Sequence, residues 1–231
     1  MHQILVYSDS LSWGIIPGTR KRLSFEQRWP IILEKSLLTM GLPVRVIEDC
    51  LNGRRTVWED PFKPGRNGLA GLAQRVESHS PLDLVILLLG ANDLQSVHGL
   101  QSWHVAQGVV ALIREVRNAL IEPGMPVPPV MVIAPPPIRV AKGEMAMRFY
   151  GAGPRSQDLA DMLRAECVKW ECAFFDAGEV VEVSNVDGVH LDAPSHEILG
   201  LALAPVVSRM ILKEDDCLEL GCQTMNPKIS T

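Results

Sequence analysis

Residues 82–93 read LDLVILLLGAND, with an apolar run unbroken from Leu84 to Leu89 that ends on Gly90. A strand with one wet face alternates apolar and polar side chains, so a run without alternation belongs to a strand covered on both faces. Such strands occur in parallel sheets that carry helices above and below. Residues 130–134 (VMVIA) repeat the pattern and stop at Pro135, Pro136 and Pro137. Shorter apolar or β-branched runs over 3–7, 44–48 and 173–175 complete a set of five predicted strands with 82–89.

Helical spacing fills the intervals. Ser24 and Gln27 make a capping box, Leu33, Leu37 and Leu38 recur on one face, and Gly41 ends the run, which predicts a helix over 25–40. Further helices are predicted over 68–78, 102–121, 157–170 and 194–212. Strands alternating with helices require right-handed crossovers. The fold class is therefore α/β, three-layer and flavodoxin-like, around a mostly parallel five-stranded sheet. No repeat or linker divides the chain, so 1–212 reads as one domain. Residues 213–231 lose apolar periodicity and gain charge, and are expected to be a tail that is mobile or packed on a neighbouring subunit.

Composition removes several function classes. Of 231 residues 47% are hydrophobic and 21% charged, which is outside the range of disordered chains. The 22 Lys and Arg against 27 Asp and Glu give a net charge of -5, so no nucleic-acid partner is expected, and Arg20-Lys21-Arg22 reads as a solvated loop. No apolar stretch approaches the roughly 20 residues of a membrane helix, and no membrane association is expected. The first residues carry neither a cationic segment nor a small-residue cleavage site. Five cysteines, an odd number in a chain large enough to need no staples, fit reduced, buried thiols and a cytoplasmic location. Neither C-x4-C pair stands in zinc-site register with a histidine, so no metal or cofactor is expected.

In open α/β sheets ligands bind beyond the carboxyl ends of the strands. The segments there are Ser8 to Ser12, Asn52-Gly53 and Gly90 to Asp93, with Asp187 to His190 before the last helix. Together they hold a hydroxyl, a backbone donor at a glycine, a carboxamide and an Asp/His pair, the parts that acyl transfer requires. Taken singly each has a plainer use: Ser10 as a loop brace, Gly53 as a turn glycine, Asn92-Asp93 as a helix cap, and Asp187 with His190 as an exposed loop pair.

In combination the blocks Tyr7 to Gly14 (YSDSLSWG), Asn52-Gly53-Arg54, Leu88 to Asp93 (LLGAND), Phe175 to Gly178 (FDAG) and Asp187 to His190 (DGVH) resemble the SGNH, or GDSL-type, hydrolases, more narrowly their arylesterase and acyltransferase branch. The resemblance implies Ser10 as nucleophile, His190 as general base and acid, and Asp187 as the group that orients the imidazole. It also implies an oxyanion hole from the Ser10 amide, the Gly53 amide and the Asn92 carboxamide. The motif here is SDSL: Ser8 stands where the family usually has glycine, and Ser8→Gly is expected to retain activity. Asp9, Asp93 and Asp176 are expected to brace or cap loops, and Arg54 and Arg55 to form structural ion pairs.

Pocket walls are expected from Leu11, Trp13, Leu94 and Val189, with the segment 138–150. Such apolar walls favour a small-molecule ester with a short acyl group and an aryl or alkyl alcohol, and the acidic net charge does not encourage anionic substrates. The expected activity is thus serine-ester hydrolysis. Acyl transfer to an alcohol or to hydrogen peroxide, and deacetylation of a sugar ester, are the alternatives. A non-catalytic flavodoxin-like binding module is the reading from another class; it is weakened by the absence of G-x-G-x-x-G and G-x-x-x-x-G-K-[ST] loops. Long insertions at 61–71 and 135–153 and the resemblance together lead to the expectation of a homo-oligomer.

Overall fold

The computed structural model describes residues 1–212. The expected tail, 213–231, with Cys217 and Cys222, lies outside the described residues.

Five strands, β1 (His2–Ser8), β2 (Val44–Cys50), β3 (Leu84–Leu88), β4 (Val130–Ala134) and β5 (Ala173–Asp176), form one sheet in the order β2-β1-β3-β4-β5, and every pairing is parallel. Successive side chains of a strand point to opposite faces. Leu5, Tyr7, Val85, Leu87, Val130 and Val132 therefore pack on one side, with α3 (Leu72–His79), α4 (Ser102–Arg117) and α7 (Leu159–Lys169). Ile4, Val6, Leu84, Ile86, Met131 and Ile133 pack on the other, against α2 (Trp29–Thr39) and α8 (Ala193–Ile211). This is the expected three-layer α/β arrangement.

Boundaries differ where backbone chemistry overrides periodicity. The predicted helix over 25–40 is a 3-10 turn, Phe25–Gln27, followed by α2, with Arg28 extended between them. Pro30 explains the break: inside a continuous helix its ring would meet the carbonyl of residue 26, whereas at the first turn of α2 its missing N–H costs nothing. The helix predicted from 68 starts at Leu72, because Gly71 is left-handed with φ 79°. Three short helices were not expected: α1 (Ser10–Trp13), α5 (Met145–Arg148) and α6 (Ala152–Ser156). Each is too short to show a period.

The register fixes where the site is built. Ser8 at the end of β1 lies opposite Cys50 on one side and Leu88 on the other, so three loops leave the sheet from one rung. On the opposite layer α2 and α8 approach closely at Gly200, where a Cβ would sit 2.8 Å from Ile32 and 2.9 Å from the Trp29 carbonyl. One turn earlier the buried His196 accepts the Trp29 amide proton on Nδ1 at 3.2 Å.

His196 gives the fold a pH dependence. Burial pulls its pKa from 6.5 down to about 4. A depressed histidine contributes stability that is present above the unfolded-state value near 6.5 and is lost as pH falls towards the folded-state value. Between pH 7.5 and 5 the His196 contribution is expected to fall by about 2 kcal/mol. Because the raised carboxyls of Asp9 and Asp93 act in the opposite sense over the same window, the quantity to read is the difference between proteins. Urea unfolding at both pH values should show wild type losing about 2 kcal/mol more than His196→Asn between pH 7.5 and 5, and equal pH dependence in the two would refute the assignment.

Candidate active site

Asp9 begins the site. It follows β1 directly, and its Oδ1 accepts the Leu11 amide at 2.9 Å, which starts α1 and turns Ser10 outward from the sheet end. From the other side Asp187 accepts four protons: the amides of Val189 (3.0 Å) and His190 (3.0 Å) on Oδ1, and the Gly18 amide (3.2 Å) and His190 Nδ1–H (2.8 Å) on Oδ2. Burial alone would raise this carboxyl; the His190 ring and the His190 and Val189 amides hold it far below the usual carboxylate range. An ionised Asp187 can only accept, so Nδ1 carries the imidazole proton and Nε2 presents its lone pair. That lone pair lies 3.2 Å from Ser10 Oγ. Ser10, His190 and Asp187 are all buried.

Ser8 crowds nothing. Its hydroxyl donates to the Leu88 carbonyl at 2.7 Å and therefore accepts from Ser12 Oγ at 2.6 Å, and Ser12 in turn accepts from Trp29 Nε1 at 3.0 Å. This chain runs from a donor-only indole to an acceptor-only carbonyl and ties β1, α1, α2 and β3 together.

Gly53 follows β2 in the left-handed region at φ 84°. Neither its amide nor that of Ser10 donates to a backbone carbonyl among the described residues. Asn92 lines the same cleft and is held by two side chains, the Asp9 carboxylate and the Gln95 amide. One Nδ2 proton goes to Asp9 Oδ2 at 2.8 Å, while Asn92 Oδ1 accepts from Gln95 Nε2 at 2.8 Å. Gln95 Oε1 accepts from Arg55 Nη2 at 2.8 Å. A guanidinium can only donate, so Arg55 fixes Gln95, Gln95 fixes Asn92, and the remaining Nδ2 proton of Asn92 has one direction left. Burial raises Asp9 to about 6 against the opposing Leu11 and Asn92 bonds.

The expected supporting roles are found in place. Asp93 is fully buried, its pKa raised by burial to about 7, and it accepts the amide and hydroxyl of Thr56. Asp176 caps the Gly178 amide at 2.8 Å. Arg54 pairs with Asp49 at 2.6 Å and Arg55 with Asp60 at 3.3 Å. Gln95, Thr56, Ser12 and Trp29 were not singled out in the sequence; an amide at the third position after Asn92 was the one available sign.

The expected pocket walls need correction. Leu11, Leu94 and Val189 are buried in the two cores, and Trp13 lies under the Arg22 guanidinium at 4.6 Å; none lines the cleft at Ser10. That cleft, with about 30 Å3 of space, is walled by Asn52, Gly53, Asn92, Gln95, Asp60 and His190, by Met145 and Phe149, and by Arg20, Lys63 and Arg148. Its walls are mostly polar: Leu11, Leu94 and Val189 turn inward, while Met145, Arg148 and Phe149 come from the expected segment 138–150 and Arg20, Asp60 and Lys63 from other loops.

Residues 9–198 match the GDSL-like lipase/acylhydrolase family. Among solved structures, the native aryl esterase of M. smegmatis superposes with a TM-score of 0.86 at 32% identity, covering 91% of this chain and 100% of that one. Est24, a carbohydrate acetylesterase from Sinorhizobium meliloti, gives 0.85 at 32% identity, with 90% and 99% covered. No curated protein matches the chain. The family match across most of the sequence and the shared architecture agree: the chain belongs to the GDSL-like lipase/acylhydrolase family, has the SGNH hydrolase fold, and is a carboxylic ester hydrolase.

Proposed function

We propose that the protein hydrolyses short-chain esters of small alcohols through an acyl-enzyme on Ser10. The observation that carries this reading is the 3.2 Å approach of Ser10 Oγ to His190 Nε2, with Asp187 bound to the opposite ring nitrogen. Ser10 Oγ attacks the ester carbonyl carbon as its proton passes to Nε2. The developing oxyanion meets the Ser10 and Gly53 amides and the free Asn92 Nδ2 proton. Collapse breaks the bond to the alcohol oxygen, which takes the proton back from Nε2. Water then repeats the sequence on the acyl-enzyme and releases the acid. Asp187 keeps the tautomer throughout and stabilises the imidazolium.

The narrow space beside Ser10, about 30 Å3, supports a short acyl group such as acetyl. Its walls are mostly polar, whereas acyl transfer to an acceptor other than water calls for an apolar pocket that excludes water. Such walls favour as second reading the deacetylation of a polar alcohol, the class to which Est24 belongs by name.

Ser10→Ala should lower p-nitrophenyl acetate turnover by about 1000-fold or more. Intact mass after fluorophosphonate treatment should show one adduct on wild type and none on the variant. A fully active Ser10→Ala protein would end this reading. Asn92→Ala should cost about 3 to 4 kcal/mol of transition-state stabilisation, read in kcat. Gln95→Met, which leaves Asn92 in place but unoriented, should lower kcat about tenfold, equivalent to 1.4 kcal/mol, with KM little changed. An equal rise in KM instead would mean that Gln95 binds substrate and does not position Asn92.

A further inference from the structure

Three cations line the Ser10 cleft from three separate segments: Arg20 from the loop after α1, Lys63 from the loop after Asp60, and Arg148 from the last residue of α5. Among the described residues none of the three forms an ion pair. The carboxylate that lines the same cleft, Asp60, is already engaged: Oδ1 accepts the amides of Phe62 (2.9 Å) and Lys63 (3.2 Å), and Oδ2 faces Arg55 at 3.3 Å. In a chain of net charge -5, three uncompensated positive charges around one narrow opening are a local field, not an average property.

Resting on the Ser10 reading above, we propose that the preferred substrate is an ester of a short acid whose alcohol portion carries an anionic group, held at the cleft by Arg20, Lys63 and Arg148. The whole cleft holds only about 30 Å3, room for a small acyl group at most, so the remainder of the substrate would extend past the charged side chains that wall it. Burial, and then the like charges of Arg66, Arg20 and Arg148, pull the Lys63 ammonium below its ordinary value, with the Asp60 carboxylate opposing them only in part. An anion relieves that repulsion and gains charge-assisted hydrogen bonds, chiefly from the two guanidinium groups. Arg20 belongs to the basic triplet that reads as a solvated loop in sequence; the fold turns its first member towards the site and its third, Arg22, towards the Trp13 ring and Glu48.

The test compares two acetyl esters that differ in charge, 4-acetoxybenzoate and its methyl ester. Each is cleaved by water to acetate and the corresponding phenol. The quantity read is the ratio of kcat/KM for the anionic ester to that for the neutral one. In the full-length protein the ratio should fall about tenfold on replacing Arg20, Lys63 and Arg148 together by Gln, and should fall in the same sense in wild type when salt rises to about 0.5 M, where exposed charges are screened. Arg20→Gln and Arg148→Gln singly should each shift it by a smaller factor, so the test does not depend on the triple variant folding. A ratio that neither substitution nor salt moves would overturn the anion site while leaving Ser10 chemistry intact. Hydrolysis of neither ester, with no fluorophosphonate adduct on Ser10, would overturn the Ser10 reading and this proposal with it.

Discussion

The site depends on a single rung of the sheet. Because β1 pairs with β2 and β3 in a register that sets Ser8 opposite both Cys50 and Leu88, the loops bearing Ser10, Gly53 and Asn92 leave the sheet from adjacent points. A slip of one residue in either pairing would turn every side chain of a strand to the other face and separate these loops. Arg54 secures the rung on one side, donating to the Ser8 carbonyl at 2.9 Å and the Asp49 carbonyl at 2.5 Å with its guanidinium over the Tyr7 ring. Ser8 secures it on the other through the Leu88 carbonyl. A glycine at residue 8 would leave both the Ser12 proton and the Leu88 carbonyl without this partner, so the departure from the family motif is absorbed into the packing of the loop.

Direction matters in these networks as much as distance. Amides and hydroxyls can donate or accept, and a buried chain of them has two polarities of similar energy unless an end is fixed. Both chains here end on groups with no choice: Trp29 Nε1 and the Leu88 carbonyl in one, Arg55 and Asp9 in the other. The fully buried Arg55, two hydrogen bonds removed from Asn92, thereby sets the direction of the Asn92 amide through Gln95. Buried charges of this kind are weak contributors to stability on balance. Their retention beside the site is better explained by the orientation they impose.

Most of the architecture was legible because it rests on patterns that local physics makes unambiguous. Runs such as Leu84 to Leu89 and Val130 to Ala134 have no polar face, and a strand-helix alternation admits few topologies. The blocks around Ser10, Gly53, Asn92 and Asp187 were legible for a related reason: a topology that places all strand ends at one edge brings their loops together whatever the details. Pocket walls were not. Neighbours in sequence of a catalytic residue point away from it as often as towards it, and Leu11, Leu94 and Val189 point into the cores. The segment 138–150 was legible as an insertion beside the site, but which of its side chains wall the cleft, Met145, Arg148 and Phe149, was not, because its helices are too short to carry a period.

The same limit applies to charge. Net charge sums over a surface and predicts solubility or attraction to a polyanion, but a ligand in a cleft responds to charges within about one Debye length, about 8 Å at physiological salt. An excess of acidic residues spread over the molecule and three basic ones at a single opening are therefore compatible, and only the second bears on the substrate. The placement of Arg20 shows how little of this the sequence exposes. In a run of three basic residues, backbone geometry at the Ile16 to Leu23 turn sends Arg20 to the cleft and Arg22 to Glu48, at 3.8 Å. The side chains that wall the cleft are thus carried by loops that the sheet holds in place but does not specify, so that one rung of the sheet can stand beneath clefts of very different polarity.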